Sequence, residues 1–261
     1  MKRATQLSSF FIFFLLICCG PDAKAQQRQY IELRVYHLAD TAQLSSVHRF
    51  LQTAYLPALH KQGIKTVGVF TAIGNDTAAD KRIYVLTPFA SLKKMEELPR
   101  KLEKDAQYQE NGAAYLNAAH NGTPYKRFET ILLQAFEFMP AVVKPQLTGD
   151  KSNRVYELRS YEGPTEKFYK NKVQMFNQGG EIDIFKRLGF NAVFYGEVLF
   201  GSRMPNLMYM TSFENKAARD AHWKAFGEDA AWKKLSAMPE YKNNVSKNEI
   251  VFLTPADYSD L

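Results

Sequence analysis

The sequence predicts an α+β chain in which a β-α-β-β-α-β unit occurs twice in tandem and closes into one barrel. Three observations carry this. Tyr30-Ile31-Glu32-Leu33-Arg34-Val35-Tyr36 returns as Val155-Tyr156-Glu157-Leu158-Arg159-Ser160-Tyr161. The order of strand and helix patterns after each copy is the same. Further matches keep the spacing: Gly63-Ile64 with Gly189-Phe190, Thr87-Pro88-Phe89 with Thr211-Ser212-Phe213, and Asp105 to Tyr108 with Asp229 to Trp232, at an offset of 124 to 126 residues. A period that long is too large for a solenoid and points to duplication of a small domain. The order β-α-β-β-α-β is that of a ferredoxin-like unit, an antiparallel sheet with its helices on one face. The bare face needs a partner. Two units in one chain supply it, sheet against sheet, as an intrachain α/β barrel.

Residues 1–25 read as a signal peptide. Lys2 and Arg3 precede the apolar run Phe10–Cys19, and Ala23-Lys24-Ala25 offers a cleavage site. The run is short of the ~20 residues that span a bilayer, so export to the periplasm or medium is expected, with no membrane association afterwards. Cys18 and Cys19 are the chain's two cysteines. The mature chain then has neither disulfide nor thiol chemistry and rests on its apolar core. Removing the leader lowers the formal charge from +7 to +5. No run of four basic residues marks a nucleic-acid surface.

The first unit is assigned to 26–138. Its opening strand alternates Ile31, Leu33 and Val35 with Glu32, Arg34 and Tyr36. Asp40-Thr41 caps a helix with apolar residues at Leu44, Val47, Leu51, Ala54, Tyr55 and Ala58, kinked by Pro57 and ended by Gly63. Strands follow at Lys65–Ile73 and Arg82–Thr87 about the turn Gly74-Asn75-Asp76. A helical region from Ser91 to Ala119 breaks near Asn111-Gly112, and a strand lies within Tyr125–Phe138. Residues 139–153, with Pro140, Pro145 and Gly149, form the linker.

The second unit, 154–261, repeats the order. Helices at Lys167–Phe176 and Glu181–Leu188 are separated by Gly179-Gly180. Strands at Phe190–Leu199 and Leu207–Phe213 flank the turn from Gly201 to Pro205. A helix over Lys216–Leu235 and a strand over Glu249–Leu253 complete it.

Residues 154–255 resemble the NIPSNAP family of the dimeric α/β barrel superfamily. The opening strand Tyr156–Tyr161, then Leu188-Gly189-Phe190, Gly201, Asn206, Arg219 and Asp229 to Trp232 carry the likeness, and Leu253 to Leu261 is similar to tails of bacterial members. The first unit is a diverged copy: it has Pro88 where the second has Ser212, Tyr108 in place of Trp232, and no counterpart of Arg219. The resemblance implies the fold and no particular reaction. Its wider superfamily includes cofactor-free monooxygenases, haem enzymes and isomerase-like proteins, a fold-level analogy.

The candidate ligand-binding residues are Glu32, Arg34, Tyr36, Glu157, Arg159, Tyr161, Tyr195 and Tyr209. The apolar strand faces are expected to pack under the helices and the Glu-Arg-Tyr faces to line the space between the sheets. There, arginine would bind a carboxylate or enolate and tyrosine would donate a hydrogen bond. The plainer reading is a Glu–Arg pair that satisfies charge at the sheet-sheet contact. His37, His48, His60, His120 and His222 lack zinc-site spacing, so no metal site is expected. No cofactor motif occurs. His48 and His222 are where a haem ligand would sit in related barrels, and helix packing accounts for both. Trp223, Phe226 and Trp232 read as core.

Three functions compete: binding of a small, partly apolar or anionic ligand in the barrel; a cofactor-independent monooxygenase or isomerase using Arg159 and Tyr161 on an enolisable substrate; and a non-catalytic interaction module with its barrel packed solid. A homo-oligomer built through sheet edges or helices is a further partner.

Overall fold

A computed structural model describes residues 27–261; the expected leader lies outside them. The strands are β1 (Tyr30–Leu38), β2 (Gly68–Ala72), β3 (Lys81–Phe89), β4 (Arg127–Ala135), β5 (Val155–Glu162), β6 (Asn191–Phe200), β7 (Asn206–Phe213) and β8 (Lys247–Pro255). They close an antiparallel barrel in the order β1-β3-β2-β8-β5-β7-β6-β4. Each half is a four-stranded sheet with β1 or β5 inside it. The seams are β2 with β8, from Phe70↔Pro255 to Ala72↔Leu253, and β4 with β6, from Leu132↔Phe200 to Ala135↔Gly196.

In the first half, Asp40 caps α1 (Thr41–Phe50) by accepting from the Gln43 N–H. The helix continues through a π-turn at Leu51–Tyr55 into α2 (Leu56–Lys61). The distortion falls just ahead of Pro57, which lacks an N–H and crowds the preceding turn. Gly63 closes the segment at φ 81°, a backbone open to glycine without strain. The next helical stretch breaks earlier than the expected break at Asn111-Gly112. α3 (Leu92–Glu103) ends before Asp105, whose carboxylate caps α4 (Ala106–Asn111), and α5 (Ala113–Leu116) follows. In the second half the helices are α6 (Glu166–Phe176), α7 (Glu181–Arg187), α8 (Lys216–Glu228) and α9 (Ala230–Ala237). Asp229 caps α9 as Asp105 caps α4.

The strand faces are the reverse of the expectation. Ile31, Leu33 and Val35 meet Tyr156, Leu158, Met208, Met210 and Leu253 in one cluster inside the barrel. Glu32, Arg34, Tyr36, Glu157, Arg159 and Tyr161 point outward, under the helices. The reason is water: the barrel interior is closed on all sides by strands, so an unpaired charge there has no solvent, whereas the helix layer can bring partners and leave gaps. The interior is packed. Its mouth retains about 30 Å³, roughly one water.

Candidate functional site

All eight candidate residues lie between sheet and helices, in two groups on opposite sides of the barrel. The groups do not meet.

In the second half the residues are fully engaged. Glu157, with 0 % exposure, accepts at both oxygens. Arg159 donates from Nε at 2.7 Å with its Nη2 in ion-pair contact at 2.6 Å, Arg219 donates from Nε at 2.7 Å and Nη2 at 2.9 Å, and Trp223 from Nε1 at 2.8 Å. Burial works against the carboxylate's charge, and the two guanidiniums outweigh it and hold Glu157 below the usual range. The Trp223 ring lies 3.6 Å from the Arg159 guanidinium carbon, a cation–π contact that closes the space above the arginine. Arg159 also donates to the Tyr161 hydroxyl at 3.1 Å, which shares a hydrogen bond of 2.8 Å with Tyr209. Tyr195 stacks on Tyr209 at 5.6 Å. Burial pushes Tyr209 well above its ordinary value, so it stays a neutral hydroxyl. Beside them, Lys172 and Glu181 form a buried ion pair at 2.7 Å.

The first half begins alike. Residues two apart on β1 share a face, and Arg34 donates to Glu32 from Nε at 3.0 Å and Nη2 at 2.7 Å. Phe128 and Tyr55 flank the guanidinium at 4.9 and 5.7 Å. The helices then bring no second arginine and no tryptophan. A cavity of about 490 Å³ opens over Glu32, Arg34, Tyr55 and Tyr108, walled by Met95, Leu98, Pro99 and Leu102. Burial pushes Tyr108 up to about 12 and raises Tyr55; both present neutral hydroxyls. Tyr36 is not a wall of this cavity and accepts from the Tyr115 hydroxyl at 3.2 Å.

The duplication explains the cavity residue by residue. Aligning the helix caps Ser91 with Asn215 and Asp105 with Asp229 puts Met95 where the second half has Arg219, and Pro99 where it has Trp223. The strand register, Val69↔Val85 against Tyr195↔Tyr209, puts two valines where the second half has two tyrosines. Four large groups in one copy are smaller in the other. Met95, Pro99, Lys172 and Glu181 were not among the residues singled out from sequence. Arg219 and Trp223 were noted for family likeness and packing, although their spacing of four puts both on one face of α8 toward β5.

The family model of NIPSNAP matches residues 156–260, and the second half of this chain is a NIPSNAP domain. Among solved structures, a "putative monooxygenase" from Lactobacillus acidophilus NCFM is similar at 10 % identity and TM-score 0.58, over 87 % of this chain and 94 % of that one. Another "putative monooxygenase", from Fusobacterium nucleatum, is similar at 8 % identity and TM-score 0.57, over 87 % and 92 %. An anthrone oxidase-like protein is similar at 9 % identity and TM-score 0.53, over 89 % and 93 %. At these identities the likeness is one of fold, the closed α/β barrel. No curated protein matches the chain.

Proposed function

We propose that this is an exported protein that binds a small, partly apolar, anionic molecule in the cleft beneath α3, with Arg34 as the anchoring cation. One observation carries the reading. The same Glu-Arg strand pair is sealed by Arg219 and Trp223 in one copy and opens onto about 490 Å³ in the other. That volume falls in the range of small-molecule sites, and its lining sets the apolar Met95, Leu98, Pro99, Leu102 and Leu116 beside polar groups, with Arg34 its one cation and Glu103 a second carboxylate at its edge. Arg34 uses Nε and Nη2 on Glu32 and is also held by the Tyr36 hydroxyl, and a ligand carboxylate or enolate would take its remaining N–H groups on the cavity side. Leu98, Pro99 and Leu102 supply the apolar contact.

An enzymatic role using Arg159 and Tyr161 is disfavoured because Trp223 covers Arg159. An enolisable substrate would instead meet Arg34, and the names of the barrel relatives make oxygenase assays worth running on that cleft. The test is native mass spectrometry of the mature protein recovered from the exported fraction. A bound small molecule released by Arg34→Met and retained by Arg203→Met supports the reading. A clean apo mass that stays unchanged after incubation with aromatic and aliphatic carboxylates overturns it. N-terminal sequencing of the same sample tests export: a start near residue 26 is expected.

A further inference from the structure

On the other side of Leu98 from the ligand cleft lies a second concavity of about 270 Å³, floored by residues 62–66 and 88–90. Lys65, Lys94 and Lys101 line it, and no carboxylate does. Lys101 reaches Glu97 at 3.4 Å. Among the described residues, Lys65 and Lys94 have no carboxylate within ion-pair distance. Two of the three lysines that border the hollow are thus without a carboxylate partner, and an anion there would supply the missing countercharge.

The duplicated half shows what this place looks like without such a purpose. At the same aligned positions it carries Asn191, Ala218 and Ala225. The space is filled there by His222, whose ring sits 5.5 Å from both Phe190 and Phe213. The first half has Ile64 and Leu98 in place of Phe190 and His222. Basic side chains and open volume thus arrive together in one copy. Coincidental surface lysines would not require the aromatic filling to be lost as well.

We infer that the Lys65/Lys94/Lys101 pocket is a binding site for a phosphoryl group, either inorganic phosphate or the phosphate of a small ester. Ammonium groups are point-charge donors suited to phosphate oxygens. Lys94 stands in the first turn of α3, where the helix dipole adds positive potential. The site is separate from the Arg34 cleft and does not depend on it.

The test is a titration of isotope-labelled mature protein with inorganic phosphate, pyrophosphate and glycerol 3-phosphate at constant ionic strength, followed by amide chemical shifts. Saturable shifts at Lys65, Ala90 and Lys94 are expected, with affinity falling at least tenfold in the Lys65→Ala/Lys94→Ala/Lys101→Ala variant and unchanged in Arg34→Met. All three lysines are exposed, so the variant should fold, which its spectrum checks directly; Lys94→Glu alone gives the same answer with one change. Tighter binding of the glycerol ester assigns the site to an organic phosphate, and tighter inorganic phosphate to the free ion. Shifts that never saturate, or an affinity the lysine variants do not alter, would overturn the inference.

Discussion

The two clefts of this barrel start from one motif and end in opposite states. Around Glu157 the helix layer supplies Arg219 and Trp223, and the carboxylate accepts from four N–H donors. Around Glu32 it supplies Met95 and Pro99, and a cavity remains. A duplicated unit can thus keep the strand that builds a site while one copy spends the site on stability. The other copy keeps the space open.

The contrast has measurable consequences. Glu157→Gln leaves the buried Arg159 guanidinium without a countercharge, while Arg219 keeps Asp220 at 3.0 Å; the loss should cost about 3–5 kcal/mol and lower Tm by roughly 10 °C. Glu32→Gln should cost about 1 kcal/mol, because Arg34 can turn toward the cavity. Equal losses on thermal denaturation would erase the distinction. Trp223→Ala should cost about 3–5 kcal/mol through the cavity it creates. The reverse change sharpens the comparison: Met95→Arg with Pro99→Trp rebuilds the second half's seal over Glu32. That double variant should be at least as stable as the parent in urea, since Pro99 also interrupts α3, and should take up no ligand.

A smaller effect concerns pH. Burial lowers the affinity of His48 for a proton, and its ring hydrogen-bonds the Tyr258 hydroxyl at 2.7 Å. The folded state then binds fewer protons than the unfolded chain just below the ordinary histidine value of ~6.5. Stability should therefore be fully present above that pH and decline as pH falls through the folded pKa. His48→Gln should flatten that slope in denaturation midpoints measured between pH 7 and 5. Glu157, held low by its arginines, adds a second decline at more acid pH.

Much of the fold was legible in the chain. The repeated strand, the constant offset and the cap residue Asp40 correspond to the observed barrel, because each is a signal carried by a few neighbouring residues; Asp105 and Asp229, which the helical pattern runs straight through, instead cap the new helices α4 and α9. The strand faces were not. An alternating strand tells which residues share a face and is silent on which face looks inward, and here both faces are covered. Ile31, Leu33 and Val35 went to the waterless barrel interior, and Glu32 and Arg34 to the helix layer. The partners of Glu157 lie 62 and 66 residues away, a separation no local pattern reveals. The open cleft was legible only as a difference between the copies, Met95 against Arg219 and Pro99 against Trp223, and it acquired meaning once α3 and α8 were aligned by their caps.

The most direct measurement is a calorimetric titration of apolar carboxylates into three proteins: the parent, Arg34→Met and Arg159→Met, each first checked for folding. The parent should bind, Arg34→Met should lose at least tenfold in affinity with a modest fall in Tm from the unpaired Glu32, and Arg159→Met, where it folds, should bind as the parent does while melting several degrees lower. Affinity that follows Arg159 and ignores Arg34 would contradict a site anchored by Arg34.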